Sequence, residues 1–137
     1  MAIACPTSFV GDTYGKTRYY RNVGPRAVPR FAAPVLIGDL KIRMIPYAAD
    51  WDRDGRLDVV GSAAGGAVVL WRNTGDGRFA AEEQLDVPPV PYSPMVAVVD
   101  WNEDGDQDLI VGTAYGYFCW FERSFLAGGY DRARLVP

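Results

Sequence analysis

The chain has 137 residues, 49% of them hydrophobic and 23% charged, a composition that suits a domain with a real core and excludes a disordered tail. Its formal net charge of −3 argues against a nucleic-acid partner, and the lack of histidine removes the commonest general base and zinc ligand. No apolar run approaches the roughly 18 residues of a membrane span, so we expect no membrane insertion.

The first ten residues, Met1–Val10, lack a basic start and a long apolar stretch, so they are not interpreted as a signal peptide. The chain is then either cytoplasmic or exported by a signal that lies outside this sequence. Two cysteines, Cys5 and Cys119, are too few for a disulfide framework. The sequence leaves open whether they form one bridge or remain ordinary thiols.

Residues 1–43 form the first of three related units. A glycine turn at Gly15 is followed by the strand-like segment Arg18–Asn22, and the same order recurs around Gly66 and Gly116 in the later units. Arg30–Ala33 also matches Arg78–Ala81. We interpret this first unit as incomplete, because it has no counterpart of the acidic loop that opens the other two.

Residues 44–93 and 94–137 form two complete units. Asp50–Asp58 and Asp100–Asp108 recur at an offset of 50 residues, and each acidic segment lies between two short apolar stretches. Each unit is predicted to contain four short strands, rich in Val, Ile, Tyr, Phe and Trp, with the acidic loop between the first and second strands.

The strands are apolar on both faces rather than on alternate residues, as in Val68–Trp71 and Tyr117–Phe121. No period of 3.6 residues persists over the length of a helix, so the chain is predicted to be all-β. A sandwich would leave one face of each sheet in water, whereas sheets stacked around an axis bury both faces. A propeller-type stack of antiparallel sheets is therefore favoured, in one domain of residues 1–137.

The acidic loops have the spacing of a calcium site. Ca²⁺ takes six to eight oxygen ligands, and a short loop supplies them from positions 1, 3, 5 and 9, with a backbone carbonyl from position 7 and glycine at position 6. Gly55 and Gly105 occupy position 6. The predicted ligands of two Ca²⁺ ions are Asp50, Asp52, Asp54, the carbonyl of Arg56, and Asp58, and in the second loop Asp100, Asn102, Asp104, the carbonyl of Asp106, and Asp108.

Two other interpretations of these loops were considered. An EF-hand needs glutamate at position 12, where this chain has Gly61 and Val111, and it needs flanking helices. A plain Asp-Gly turn would leave the carboxylates in solvent. Because matching oxygen ligands occur twice at the same place in a repeat, calcium is the favoured prediction.

The pattern Asp-x-Asp/Asn-x-Asp-Gly-x-x-Asp, followed by an apolar strand, resembles the FG-GAP/VCBS repeat, and the resemblance extends from about Ser8 to Phe125. It implies four-stranded, calcium-binding β-propeller blades of the kind found in integrin α-like proteins. The chain then holds about 2.75 blades, too few to close a ring. We therefore expect it to be part of a larger propeller or to self-associate through its open blade faces.

Three functions fit this interpretation. The first is a module that recognises a carbohydrate or protein ligand, with Tyr14, Tyr115 and Tyr117 near the glycine turns as candidate ligand-binding residues. Trp51 and Trp101 are further candidates, although packing between blades is the favoured interpretation for all these rings. The second is part of a polysaccharide lyase, with Arg18, Arg21, Tyr19 and Tyr20 close in sequence but without a catalytic spacing. The third is an assembly unit with no ligand except calcium and itself.

Calcium and the family resemblance together imply a secreted, periplasmic or cell-surface location, because calcium is abundant there. No catalytic residue is predicted, and calcium is the only cofactor expected.

Overall fold

The computed structural model describes residues 7–41, 43–90, 94–123 and the backbone of 134–136. This part of the chain is all-β, as predicted, apart from short turns such as the 3₁₀ turn at Ala64–Gly66. The strands are β1 Ser8–Gly11, β2 Lys16–Tyr20, β3 Val35–Asp39, β4 Tyr47–Ala49, β5 Asp58–Ser62, β6 Val68–Trp71, β7 Asn73–Gly75, β8 Arg78–Phe79, β9 Glu83–Gln84, β10 Met95–Val99, β11 Asp108–Gly112, β12 Phe118–Phe121 and β13 Arg134–Val136.

The strands form three antiparallel sheets, one for each unit of the sequence. The first sheet has the order β1-β2-β3, the middle sheet β4-β5-β6-β9 and the last sheet β10-β11-β12-β13, while β7 and β8 make a separate hairpin. The two later units thus have the four strands expected of them. The first has three described strands, and residues 1–6 lie outside the described part of the chain.

The middle sheet is buried on both faces, as its apolar strands predicted. All four residues of β6 are buried, because neighbouring side chains of a strand point to opposite faces and both faces are covered. Val68 and Leu70 belong to a core shared with the last sheet, whereas Val69 and Trp71 belong to a core shared with the first. We call the face of the middle sheet that carries Val68 and Leu70 its forward face, and the opposite face its rear face. In the other two sheets, the forward face is the one that carries the repeat counterparts of Val68 and Leu70.

The glycine turns explain how the units repeat. Gly15, Gly66 and Gly116 have φ values of 91°, 86° and 84°, a left-handed conformation that glycine adopts without a steric penalty. The glycine that precedes this turn is displaced by one position between units, Gly61 against Gly112. A side chain at Gly61 would place its Cβ 2.7 Å from Sδ of Met44, so the middle unit uses this glycine to admit a core methionine.

Cys119 lies on β12 and is a free, partly buried thiol. It packs against the core between the middle and last sheets, and this burial raises the pKa of the thiol. The other half of the possible bridge, Cys5, lies outside the described residues.

Candidate metal centre in the Asp loops

Both Asp loops connect the first and second strands of a four-stranded sheet, β4 to β5 and β10 to β11. Their backbones follow the same path. Arg53 and Gly55 have φ values of 61° and 86°, and their counterparts Glu103 and Gly105 have 59° and 92°. Two left-handed residues in each loop turn the chain back on itself, so that carboxylates spaced along the loop converge.

The first carboxylate of each loop closes it from inside. Oδ2 of Asp50 accepts a hydrogen bond from the N–H of Gly55 at 2.9 Å, and Oδ2 of Asp100 accepts the same bond from Gly105 at 2.9 Å. Oδ1 of Asp50 and Oδ1 of Asp100 are both buried and have no hydrogen-bond partner among the described residues. A buried carboxylate oxygen without a donor is costly unless a cation or water completes it.

The last carboxylate of the first loop, Asp58, fixes the loop to the sheet. It is fully buried, and its two oxygens accept hydrogen bonds from the N–H of Trp51 at 3.0 Å and of Asn73 at 2.7 Å. Burial, the largest effect, raises the pKa of Asp58 despite these hydrogen bonds, and the nearby charges of Asp52 and Asp54 act in the same direction.

Asp108 has the same position in the second loop. It is fully buried and accepts hydrogen bonds from the N–H of Trp101 at 3.1 Å and of Arg123 at 2.9 Å. The repeat therefore extends from the sequence to individual hydrogen bonds.

The first loop brings three predicted ligands together. Carboxylate oxygens of Asp50, Asp52 and Asp58 lie within 4.8 Å of one another. Oxygens that coordinate one Ca²⁺ at about 2.3–2.6 Å stand up to about 5 Å apart, so this spacing suits a shared ion. The second loop has Asn102 in place of Asp52, and therefore one neutral oxygen at this position.

The carboxylates at position 5 are held within their own loops. Oδ1 of Asp54 accepts a hydrogen bond from the N–H of Arg56 at 2.9 Å, and Oδ2 pairs with the guanidinium of the same arginine. Asp104 accepts hydrogen bonds from the N–H of Asp106 at 2.7 Å and from Nδ2 of Asn102 at 2.8 Å. These bonds, that of Asp106 first, lower the pKa of Asp104. Calcium coordination by every predicted ligand of both loops, Asp54, Asp104 and the carbonyls of Arg56 and Asp106 included, stays a prediction.

Arginines that were not predicted surround the loops. Arg72, on the turn after β6, lies 3.2 Å from Oδ2 of Asp52 and 3.1 Å from Oε2 of Glu83. The bond to Glu83, followed by those to Asp52, raises the pKa of Arg72. Arg53 of the first loop forms a 3.0 Å ion pair with Asp106 of the second. The clustering of acidic residues is the only feature of the sequence that could have indicated neighbouring arginines.

The two loop tryptophans differ in their surroundings. Trp51 is 3% exposed and packs in the core, with the guanidinium carbon of Arg123 4.2 Å from its ring centroid. Burial, the largest effect, lowers the pKa of Arg123. Trp101, at the same repeat position, is 53% exposed.

The candidate ligand-binding tyrosines lie away from the acidic loops. Tyr14 lies on the turn between β1 and β2, in the sheet that has no Asp loop. Tyr115 and Tyr117 lie on the turn between β11 and β12, at the opposite end of β11 from the second Asp loop. All three are exposed. Tyr19, which the lyase hypothesis used, is buried against Phe9 and Phe79.

Residues 50–111 match a family described as the FG-GAP-like repeat, a segment that begins at the first Asp loop and extends through the second into β11. The chain contains an FG-GAP-like repeat. This confirms the resemblance over residues 50–111, whereas its wider extent, from about Ser8 to Phe125, stays a prediction. The FG-GAP-like segment includes every predicted calcium ligand, whereas Tyr14, Tyr115 and Tyr117 lie outside it.

No curated protein and no solved structure matches the chain. Among the described residues, none forms a helix with the length and hydrophobicity that a membrane crossing requires.

Proposed function

We propose that the chain is a calcium-binding β-propeller module that acts by recognition or assembly outside the cytoplasm, and not as an enzyme. The FG-GAP-like repeat and the three successive antiparallel sheets support the propeller part of this proposal. Each sheet is then one blade. Many functions are carried by such a scaffold, so the proposal depends on the sites that the chain adds to it.

The observation that carries calcium binding is the agreement between the two loops. Each has a buried carboxylate oxygen without a donor, at Asp50 and Asp100, beside a fully buried second carboxylate, at Asp58 and Asp108. A plain turn would expose these groups to water. All the ligands are oxygen, which favours a hard cation, and the small loop with left-handed residues suits the flexible geometry of Ca²⁺.

Arginine pairs offset part of the negative charge of the acidic loops. Arg72 and Arg56 neutralise Asp52 and Asp54, and Arg53 neutralises Asp106. Asp52 already lies with Asp50 and Asp58, and when calcium binds the first loop we expect it to exchange Arg72 for the ion, while Asp54 turns from Arg56 toward the ion. Binding is therefore opposed by the arginines, which suits a location where calcium is abundant.

Recognition is proposed for the turns that carry Tyr14, Tyr115 and Tyr117, because exposed aromatic rings are suitable platforms for sugars or for protein side chains. Their position away from the Asp loops means that calcium supports this surface only indirectly, by fixing the sheets.

Calcium binding is tested by thermal unfolding with millimolar Ca²⁺ and with EGTA. A ligand that binds only the folded state stabilises it by about 2.7 kcal/mol per site at a hundredfold excess over Kd. We expect a rise of several degrees in Tm, which is lost in the Asp50→Asn/Asp100→Asn double variant. Asp76→Asn is the matched control, since Asp76 is an exposed aspartate in the β7–β8 turn. An equal Tm in calcium and in EGTA would refute the calcium sites.

A further inference from the structure

We propose that the forward face of the last sheet docks on the rear face of the first sheet of a second copy of this chain. The inference rests on the propeller arrangement proposed above but not on calcium.

The forward face of the last sheet is apolar and incompletely covered. Ile110, Phe118 and Trp120 correspond to Val60, Val68 and Leu70 of the middle sheet, at the same offset of 50 residues. The three middle-sheet residues are fully buried in a core, whereas their counterparts are half-buried and belong to neither core of the described residues.

Two further residues extend this apolar face. Met95 lies opposite Gly112 of β11, which lies opposite Phe118 of β12, so Met95 and Phe118 belong to one row across the sheet. Met95 is 54% exposed. Trp101, exposed where Trp51 is buried, lies 6.4 Å from Phe118 between ring centroids. Large apolar residues at this density mark an interaction surface rather than scattered surface hydrophobics.

The rear face of the first sheet is the only other sheet face in the described part of the chain that no neighbouring unit covers. Val10, Arg18 and Leu36 form one row across β1, β2 and β3, and Val10 and Leu36 are 43% and 55% exposed. Arg18 occupies the position of Val69 and Cys119 in the other units, and it is held by Asp12 at 3.0 Å.

The molecule itself shows twice how a forward face is covered. The forward face of the first sheet, with Phe9, packs on the rear face of the middle sheet. The forward face of the middle sheet, with Leu70, packs on the rear face of the last, with Leu109 and Phe121. The same packing between chains would cover the last forward face with the first rear face, and a reciprocal pair of such contacts closes without further copies.

The charge on the rear face suits the aromatic residues opposite it. Arg18 would lie against the Trp120 and Phe118 face, and a guanidinium over an aromatic ring is already used between units, where Arg123 covers Trp51 at 4.2 Å. Because Arg18 is paired with Asp12, docking would not bury the guanidinium charge without a partner. In the alternative dimer, in which the two forward faces contact each other, both rear faces would remain exposed to water.

The test is the mass of the full chain in solution, measured by sedimentation velocity at several concentrations in calcium. We expect twice the monomer mass of 15.1 kDa. Met95→Glu on the forward face and Leu36→Glu on the rear face should each raise the dissociation constant by more than about tenfold, because each would place a charge in the apolar contact. Val28→Glu, at a 64% exposed loop position, is the control.

Mixing the two variants decides the geometry. The Met95→Glu variant keeps an unaltered rear face, and the Leu36→Glu variant keeps an unaltered forward face. In an equimolar mixture these two faces should make one contact and form a heterodimer. Dissociation by only one of the variants, or a mixture that stays monomeric, would overturn head-to-tail docking, and so would a monomeric wild-type chain. Circular dichroism of each variant verifies that it is folded. The calcium dependence of Tm tests the Asp loops separately, so failure of the calcium sites and failure of the docking are distinguishable.

Discussion

At the scale of single residues, the last aspartate of each acidic motif has a structural role that precedes any metal. Asp58 ties the start of its loop, at Trp51, to the start of β7, at Asn73, by accepting a hydrogen bond from the backbone N–H of each. Asp50 differs, because one of its buried oxygens has no donor among the described residues. Substitutions at the two carboxylates should therefore have different effects. A substitution of Asp58 should weaken the fold, and a substitution of Asp50 should weaken cation binding.

We predict that Asp58→Asn lowers the free energy of unfolding by about 1–3 kcal/mol both in calcium and in EGTA, since the amide turns an N–H toward a buried backbone N–H that needs an acceptor. Asp50→Asn should lower it only in calcium. Urea unfolding of both variants, with Asp76→Asn for comparison, measures the difference. Unchanged stability of Asp58→Asn in EGTA would contradict the structural role.

At the scale of elements, one carboxylate closes the first hairpin, β1–β2. Oδ1 of Asp12 accepts hydrogen bonds from the N–H of Tyr14 at 2.9 Å and of Lys16 at 3.0 Å, while Oδ2 pairs with Arg18. The hydrogen bond from Arg18 is the largest cause that lowers the pKa of Asp12 below its ordinary value.

The sign of the pH dependence follows from this lowered pKa. Since the folded chain holds Asp12 ionised more strongly than the unfolded chain, its contribution to stability is present above the ordinary pKa of 3.8 and is lost as pH falls through the folded pKa. We predict that Arg18→Gln moves the pKa of Asp12 up toward 3.8, as followed by NMR titration of the carboxyl carbon. A pKa of Asp12 that is unchanged by the substitution would rule out Arg18 as the main cause of its lowering.

Much of this arrangement of elements was predictable from sequence, for a physical reason. Turns need glycine at left-handed positions, so Gly66 and Gly116 located the hairpins, and strands buried on both faces need continuous apolar residues, so Val68–Trp71 located a central strand. The position of the Asp loops followed from the acidic motif, which recurs at an offset of 50 residues. Local chemistry fixes all of these features.

Contacts between units were not predictable, because they depend on which unit lies opposite. Trp51 and Trp101 are indistinguishable in their motifs, yet one is buried under Arg123 and the other exposed. The pair between Arg53 and Asp106 joins two loops that are distant in sequence. The sequence also gave no reason for the displacement of Gly61, which depends on the thioether of Met44.

At the scale of the whole molecule, β6 belongs to both cores. Val68 contributes to the core with the last sheet and Val69 to the core with the first, and each is at most 1% exposed. Neither core can lose the middle sheet without exposing the other, so we expect the three sheets to unfold together although each core is small.

Val68→Ala and Val69→Ala should each lower the free energy of unfolding by about 1.5–3 kcal/mol, from lost burial and the cavity that remains. Because the cores share one strand, each substitution should move the whole transition, so tryptophan fluorescence and far-ultraviolet circular dichroism should shift by the same amount. Val28→Ala, at an exposed position, should change stability by less than about 0.5 kcal/mol. Two separate transitions, one sensitive to Val68 and the other to Val69, would mean that the sheets fold as independent pairs and that β6 does not couple them.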